Sequence, residues 1–357
     1  MKKLISVILI LCLVLSGCSL EIVLAPEETS KTTVVSGGDL IVHFIDVGQA
    51  DCALIEWGDF FVLIDGGNRE DGQLIVSYLE QQNVQNLHAV ICTHAHEDHV
   101  GGLPSVLAVY PTERVYAPTN TYASNVFDKF VYYTDQQGLE ITIPAPGEKM
   151  VLSDGTDEVT LTVLGPVKSY AETNDTSIVV KLEYGNTSFL FTGDMEVAAE
   201  NDMLDYWNSK TDWNVDVLKV GHHGSTTSSG YRFIYETDPE YAIISVGADN
   251  SYGHPHDEIV DRYRDAGIPM FRTDELGTIF AVSDGSRITI TWENQNATPE
   301  DVQSADDASI TYIGNKNSLK FHAPDCNSLP KEENRIYFDS YDAAVSAGYE
   351  PCSGCLR

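Results

Sequence analysis

Thr93-His94-Ala95-His96-Glu97-Asp98-His99-Val100-Gly101-Gly102 holds four potential metal ligands, His94, His96, Asp98 and His99, within six residues. The run before it, Leu87-His88-Ala89-Val90-Ile91-Cys92, is apolar enough for a buried strand. His94 and His96 stand two apart, so extended backbone turns both imidazoles to one side. Asp98 and His99 follow where the chain turns. Gly101-Gly102 is expected to let the backbone bend sharply into a helix predicted over Leu103–Val109. Imidazole and carboxylate at this density suit Zn²⁺, Mn²⁺ or Fe at a strand end. A polar surface loop is the bland alternative, but ten histidines in the whole chain are too few to cluster so by chance. The stretch reads as a metal site.

Working outward, other polar clusters fall where apolar runs stop. A strand over Leu40–Ile45 leads into Asp46-Val47-Gly48-Gln49-Ala50-Asp51, and one over Phe60–Ile64 into Asp65-Gly66-Gly67-Asn68. Ser188–Phe191 runs into Thr192-Gly193-Asp194, and Asp216–Val220 into Gly221-His222-His223-Gly224-Ser225. Tyr241–Val246 precedes Tyr252-Gly253-His254-Pro255-His256. Further strands are predicted over Cys52–Trp57, Val115–Ala117, Val159–Leu164 and Ser177–Tyr184, with a closing hairpin across Thr278–Thr291. Helices are predicted over Gln73–Gln82, Ser124–Gln136, Val197–Trp207 and Asp257–Asp265. In layered α/β architectures, strand ends are where sites are assembled from distant segments.

These residues resemble the metallo-β-lactamase fold, an α/β architecture of four layers, αββα, with metal ligands on loops between strands. The matching positions are Asp65 in Leu63-Ile64-Asp65-Gly66-Gly67; His94, His96, Asp98 and His99; Asp194 in Phe191-Thr192-Gly193-Asp194; and the pair His222-His223. The wording is more similar still to the soluble hydrolase domain of the ComEC/Rec2 DNA-uptake branch. Phe44-Ile45-Asp46-Val47-Gly48-Gln49-Ala50-Asp51, Asn174-Asp175-Thr176-Ser177, Lys219-Val220-Gly221-His222-His223-Gly224-Ser225 and Tyr252-Gly253-His254-Pro255 carry that likeness over about residues 39–290. Two departures stand out. Members of that branch carry many membrane helices and this sequence shows none, so a free-standing relative is expected. Asn174 stands where many members have a histidine ligand before the bridging aspartate, so the first metal is expected to have fewer protein ligands.

The resemblance implies two divalent cations, Zn or Mn. His94 and His96 would hold one, Asp98 and His99 the other; Asp194 would bridge, and one of His222 and His223, by preference His223, would complete the second site. Such a pair lowers the pKa of water and supplies a hydroxide for attack on a phosphorus or acyl centre. Asp98 and His254 are the candidate catalytic residues, His254 by contacting a phosphate or protonating a leaving group. Asp46 and Asp65 are expected to orient ligand histidines through their other ring nitrogens, with Asn174 beside them. A turn cap serves equally well for Asp46. A loop histidine bonded to backbone is the plainer reading of His254.

The formal net charge of −33 argues against tight binding of duplex nucleic acid, which depends on Lys and Arg displacing counterions. A local positive site, metals included, can still hold one phosphate. Met1-Lys2-Lys3 followed by the apolar Leu4–Leu15 reads as an export signal too short to span a bilayer. Leu15-Ser16-Gly17-Cys18 resembles the bacterial lipobox, which implies cleavage before Cys18 and lipidation of its thiol. The expected organisation is a lipoprotein signal peptide over 1–17, a membrane tether over 18–38 and a hydrolase domain over 39–292. A linker over 293–309 and a module over 310–357 follow.

That module carries His322-Ala323-Pro324-Asp325-Cys326 and Pro351-Cys352-Ser353-Gly354-Cys355, a spacing that suits structural zinc on His322, Cys326, Cys352 and Cys355. A metal compensates for the small core that about fifty residues can build. A disulfide among the three cysteines is the alternative. The module resembles the zinc-binding domain of Ada-type DNA repair proteins. His322 replaces the cysteine that accepts a methyl group in that family, which excludes methyl transfer.

Together these features predict an exported lipoprotein facing outside the cytoplasm, with a dinuclear hydrolase site for a phosphodiester. DNA, RNA, or a small or cell-wall diester would be the substrate, and the membrane a partner through Cys18. The rival is a non-catalytic metal- or partner-binding lipoprotein with its site degenerate at Asn174.

Overall fold

Short, almost wholly apolar strands set the architecture, because strands covered on both faces need no polar alternation. The computed structural model describes residues 38–299 and, beyond them, 311–324, 326, 328–338, 341–352, 355 and 356. The expected signal peptide, Cys18, nearly all of the expected tether and most of the expected linker lie outside the described residues.

In chain order the strands are β1 (Leu40–Phe44), β2 (Ala53–Trp57), β3 (Phe60–Ile64), β4 (Ala89–Ile91), β5 (Val115–Tyr116) and β6 (Ile141–Thr142). They continue with β7 (Lys149–Ser153), β8 (Glu158–Gly165), β9 (Val179–Tyr184), β10 (Thr187–Phe191), β11 (Val217–Lys219), β12 (Tyr241–Ile244) and β13 (Met270–Arg272). β14 (Ile279–Ser283) and β15 (Ile288–Trp292) close the domain. One sheet has the order β15-β14-β1-β2-β3-β4-β5-β6 and the other β13-β12-β11-β10-β9-β8-β7.

The helices are α1 (Gly72–Gln81), α2 (Glu97–Val100), α3 (Leu103–Val109), α4 (Asn125–Gln136), α5 (Val197–Trp207), α6 (Tyr231–Thr237), α7 (Asp257–Asp265) and α8 (Thr273–Leu276). Val42, Phe44, Ile55, Leu182, Phe189 and Phe191 fill the space between the sheets. Leu79, Leu103, Phe127 and Phe130 cover the outer face of the first sheet under α1, α3 and α4. Met203, Ile234, Ile259 and Tyr263 do the same for the second under α5, α6 and α7. This is the four-layer αββα sandwich. Each fully buried Phe or Leu contributes roughly 1.5–3 kcal/mol relative to exposure.

Register decides where the site forms. β3 and β4 are parallel with Ile64 opposite Ile91, so Asp65 and Thr93 emerge side by side. β10, β11 and β12 are also parallel, with Phe191 beside Lys219 and Lys219 beside Ile243. Parallel neighbours need crossovers, which α5 and α6 supply, and so Asp194, His222-His223 and the loop after β12 leave at one end. α4 begins at Asn125, one residue later than predicted, because Ser124 is extended and accepts from Val126 N–H as an N-cap. The short β13 and α6 carry too few residues to show a period in sequence.

Residues 293–297, expected to open the linker, still pack on the domain. Glu293 Oε2 accepts from Thr278 N–H, and Trp292 Nε1 donates to Ala297 O. The C-terminal module is a sheet of order β18-β16-β17-β19. Its strands are β16 (Tyr312–Asn315), β17 (Lys320–His322), β18 (Arg335–Phe338) and β19 (Glu350–Pro351), with α9 at Tyr341–Ser346. Tyr312, Phe321, Phe338 and Leu356 make its small core, against which Tyr231 of α6 packs. Among the described residues no helix is long and apolar enough to cross a membrane.

Candidate metal centre

The strand-end loops are locked to each other through backbone. Gly66 N–H donates to His99 O and Gly102 N–H to Gly66 O. A Cβ on Gly101 would come within 2.3 Å of the Asn68 backbone, and one on Gly102 within 2.3 Å of Gly66 O. Both glycines have ordinary right-handed helical torsions. The pair expected to supply a sharp bend serves close backbone approach instead.

Asp65, at φ +59°, accepts from Thr93 N–H and Thr93 Oγ1, each at 2.7 Å. Its Oδ2 lies 2.8 Å from His99 Nδ1, which leaves His99 Nε2 free to face Asp194 Oδ1 at 3.2 Å. His94 Nε2 and His96 Nδ1 stand 3.1 Å apart, so these two imidazoles do converge. Asp194 is the centre of the constellation. Its Oδ1 faces His99 Nε2 and, at 3.7 Å, His223 Nε2. Its Oδ2 faces His94 Nε2 and His222 Nε2, both at 3.8 Å.

His222 and His223 occupy left-handed backbone, at φ +51° and +53°, which splays their rings to different sides. His223 Nδ1 sits 2.9 Å from Ser245 O and 3.2 Å from Asp51 Oδ1, and its Nε2 is 3.5 Å from Asp98 Oδ2. His222 Nδ1 instead meets Thr227 Oγ1 at 2.9 Å. Asn174 Nδ2 donates to Glu196 Oε1 at 3.1 Å and lies 3.5 Å from His222 Nδ1.

Of the two readings of Asp46, the turn cap is the one its contacts match. Its carboxylate accepts from Gly48 N–H at 3.1 Å as a turn cap, and burial raises its pKa. Asp51, missed as a site residue, holds His223, and Lys219 Nζ pairs with it at 2.9 Å. The signal available in sequence was Lys219 itself: a lysine in a buried strand needs a buried acid. His254 lies beside the pair, its ring 5.6 Å from that of His222, with Nδ1 3.5 Å from Gln49 Nε2. Burial and the neighbouring histidines lower its pKa to about 4.

Charge is organised by partner. Burial opposes ionisation of Asp194, yet His99 and His223 hold it well below the usual carboxylate range. Burial likewise opposes charge on His223, but Asp194 and Asp51 push its pKa up to about 10. His99 is raised in the same way by Asp194 and Asp65 against burial. Asp98, although burial raises it, is brought to about 2 by the neighbouring His223, 3.5 Å away, and the charge of His99. Burial and the charge of His99 lower His94, which keeps its imidazole neutral.

The donor set fits a divalent cation. His99 Nε2, Asp194 Oδ1 and His223 Nε2 are buried with no hydrogen-bond partner. Leaving such atoms unsatisfied costs roughly 1–3 kcal/mol each. Ligand atoms of Asp98, His99, Asp194 and His223 lie within 4.8 Å of one another. In the C-terminal module, those of His322, Cys326, Cys352 and Cys355 do so too, and no disulfide joins the three cysteines. Three soft sulfurs and one imidazole are the donor chemistry of structural zinc. Cys52 and Cys92 are buried thiols whose pKa burial raises well above the ordinary value.

Comparisons with known proteins agree with these two parts of the chain. The family described as the Metallo-beta-lactamase superfamily matches residues 45–248, and that described as the Metal binding domain of Ada matches residues 300–356. ComE operon protein 3 of Bacillus subtilis is 31% identical over 259 residues, covering 67% of this chain and 32% of that protein. Competence protein ComA of Neisseria gonorrhoeae is 26% identical over 259 residues, covering 72% of this chain and 34% of its own length. Recombination protein 2 of Haemophilus influenzae is 30% identical over 229 residues, covering 62% and 26%. The matched region thus spans about a third or less of these curated relatives.

Proposed function

The chain belongs to the metallo-beta-lactamase superfamily, with an Ada-type metal-binding domain behind the hydrolase fold, and from that premise we propose a dinuclear phosphodiesterase or nuclease. The observation that carries this is Asp194, whose two carboxylate oxygens each face two imidazoles. His94 and His96 would hold one cation; Asp98, His99 and His223 would hold the other, with Asp194 between them. Bound there, two divalent cations, Zn or Mn, lower the pKa of water and offset charge that develops on a reacting phosphoryl group.

The chain's own residues orient that chemistry. Asp65 and Asp51 fix the far nitrogens of His99 and His223. Asp98 keeps its side chain about 30% exposed beside the buried His223, and would be the ligand residue that substrate reaches. His254, whose ring lies beside that of His222, would hydrogen-bond a substrate oxygen. Two of the curated relatives are named for competence and recombination, which favours DNA as the diester. A net charge of −33 favours a short or single-stranded substrate over a long duplex. Export and anchoring through a lipidated Cys18 rest on the leader and lipobox alone, and would place this activity outside the cytoplasmic membrane. Zinc on His322, Cys326, Cys352 and Cys355 would be structural.

One observation favours the rival. Asn174, bonded to Glu196, offers the first cation no imidazole, and a protein that only binds metal or a partner would tolerate this. The test uses the mature chain reconstituted with Zn²⁺ or Mn²⁺, supplied with single-stranded DNA, double-stranded DNA and a bis(nitrophenyl) phosphate. Metal-dependent cleavage that Asp98→Asn abolishes supports the enzyme. Bound metal without turnover of any diester supports the rival.

A further inference from the structure

The loop after β12 projects an aromatic ring that the fold does not use. Tyr252 is 67% exposed, although the loop beneath it is firmly held. Asn250 Oδ1 accepts from the backbone N–H of Tyr252 and of His254, at 3.1 and 3.0 Å. Its Nδ2 donates to Gly247 O and His254 O, at 2.9 and 2.6 Å. Gly247 N–H in turn donates to Gln49 Oε1 at 3.1 Å, and a Cβ there would come within 2.5 Å of Gln49 N. The ring is therefore presented by a tied loop, and its exposure contributes nothing to the core.

The ring is also aligned with the site. Tyr252 and His254 are stacked, with centroids 5.6 Å apart and planes 24° from parallel. His254 and His223 repeat that relation at 6.4 Å and 24°. Three rings, each tilted 24° from the next, thus step from solvent to a buried candidate ligand. A Cβ on Gly253, between the outer two, would meet nothing within 4 Å.

We propose that Tyr252 and His254 form a stacking shelf for the nucleobase adjoining the diester that is cut. The inference rests on the phosphodiesterase reading and narrows its substrate to diesters that carry a base. A flat ring laid along Tyr252 would turn its sugar-phosphate towards His254, whose ring lies 5.6 Å from that of His222 and 6.4 Å from that of His223. Stacking is the favoured means of holding such a substrate here, because an acidic protein has little cationic surface to grip a backbone, and every base has a π-face. The shared chemistry is a nucleobase next to a phosphodiester, in a dinucleotide or in a single strand of DNA or RNA.

The test uses the full mature chain loaded with Ca²⁺, so that binding is read apart from turnover. Anisotropy would follow a labelled oligothymidylate and the same backbone without bases, with a thymidine dinucleotide and an oligouridylate as competitors. The expected result is about tenfold tighter binding of the base-bearing strand, within the range typical of one stacked base. Tyr252→Leu should remove that preference and Tyr252→Phe keep it. Competition by the dinucleotide assigns the shelf to a single base step, and competition by the longer strands alone assigns it to polymers. Equal binding of the abasic strand by the wild type, a preference that survives Tyr252→Leu, or no binding of any of these ligands would overturn the shelf. Failure of the phosphodiesterase reading shows separately, as absence of metal-dependent cleavage of every diester.

Discussion

Lys219 Nζ lies 2.9 Å from Asp51 Oδ2, and both side chains are buried beneath the candidate metal centre. Asp51 in turn holds His223 Nδ1, and its backbone N–H donates to Asp98 O. One ion pair thereby supports two candidate ligands. Removing one partner leaves a buried charge uncompensated, which costs on the order of 3–5 kcal/mol. Lys219→Met is expected to lower stability by that order in denaturant unfolding and to weaken metal binding. Replacing both residues by apolar ones should recover part of the stability and none of the metal affinity.

Asp65 makes an independent prediction. It fixes the His99 ring by a 2.8 Å contact to Nδ1 while bonding Thr93 twice. Loss of such an orienting carboxylate typically lowers metal affinity 10–100-fold. Asp65→Ala should show that loss in competition with a chelator of known affinity, at a site whose direct ligands are intact. Asp46→Ala, which removes only a turn cap, should leave metal affinity unchanged.

Glycine substitutions separate close approach from backbone freedom. At Gly102 an added methyl meets Gly66 O at 2.3 Å, so the two site loops must part. At Gly138, with φ +71° and nothing within 4 Å, only the left-handed torsion is strained. Gly138→Ala is expected to cost about 1–2 kcal/mol and to spare metal binding. Gly102→Ala should cost more and abolish it. Calorimetry and metal analysis of the two variants check this.

Glu200 predicts a pH effect outside the metal centre. Its buried carboxylate accepts from Ser229 and Gly230 N–H, with Arg262, Asp175 and Tyr263 around it. Burial raises its pKa from 4.5 to about 7 despite those bonds and Arg262. The folded state therefore binds the proton more tightly, and the stability this contributes is complete below about 4.5 and lost as pH rises through about 7. A shift of that size corresponds to on the order of 3 kcal/mol. Glu200→Gln should flatten the fall in unfolding free energy between these limits, read as a difference from the wild type.

The C-terminal module should depend on its metal. Its core is a few residues, among them Tyr312, Phe321, Phe338 and Leu356, too little to hold such a fold alone. Cys352→Ser is expected to lose one zinc per chain. It should also expose the module to proteolysis, while the hydrolase domain keeps its own melting transition.

Much of the fold was legible because strands end in polar clusters and a helix such as Asp257–Asp265 carries a clear period. The candidate ligands were legible for the same reason: His94, His96, Asp98 and His99 are local in sequence. Asp51 was not, since its partners His223 and Lys219 lie far along the chain and only the parallel register of β10, β11 and β12 brings them to one end. The role of Gly101-Gly102 is not legible in sequence, because a glycine that admits a neighbouring backbone looks there like one that turns. The division of labour between His222 and His223 depended on two left-handed residues in succession, a conformation that spacing does not reveal.

The most direct test is metal content of the mature chain after reconstitution and removal of loose ions. A dinuclear hydrolase site predicts two cations there and one in the C-terminal module, with Asp194→Ala losing the first two and keeping the third. A wild type that holds metal only through the cysteine cluster, or an Asp194→Ala variant that retains every ion, would contradict it.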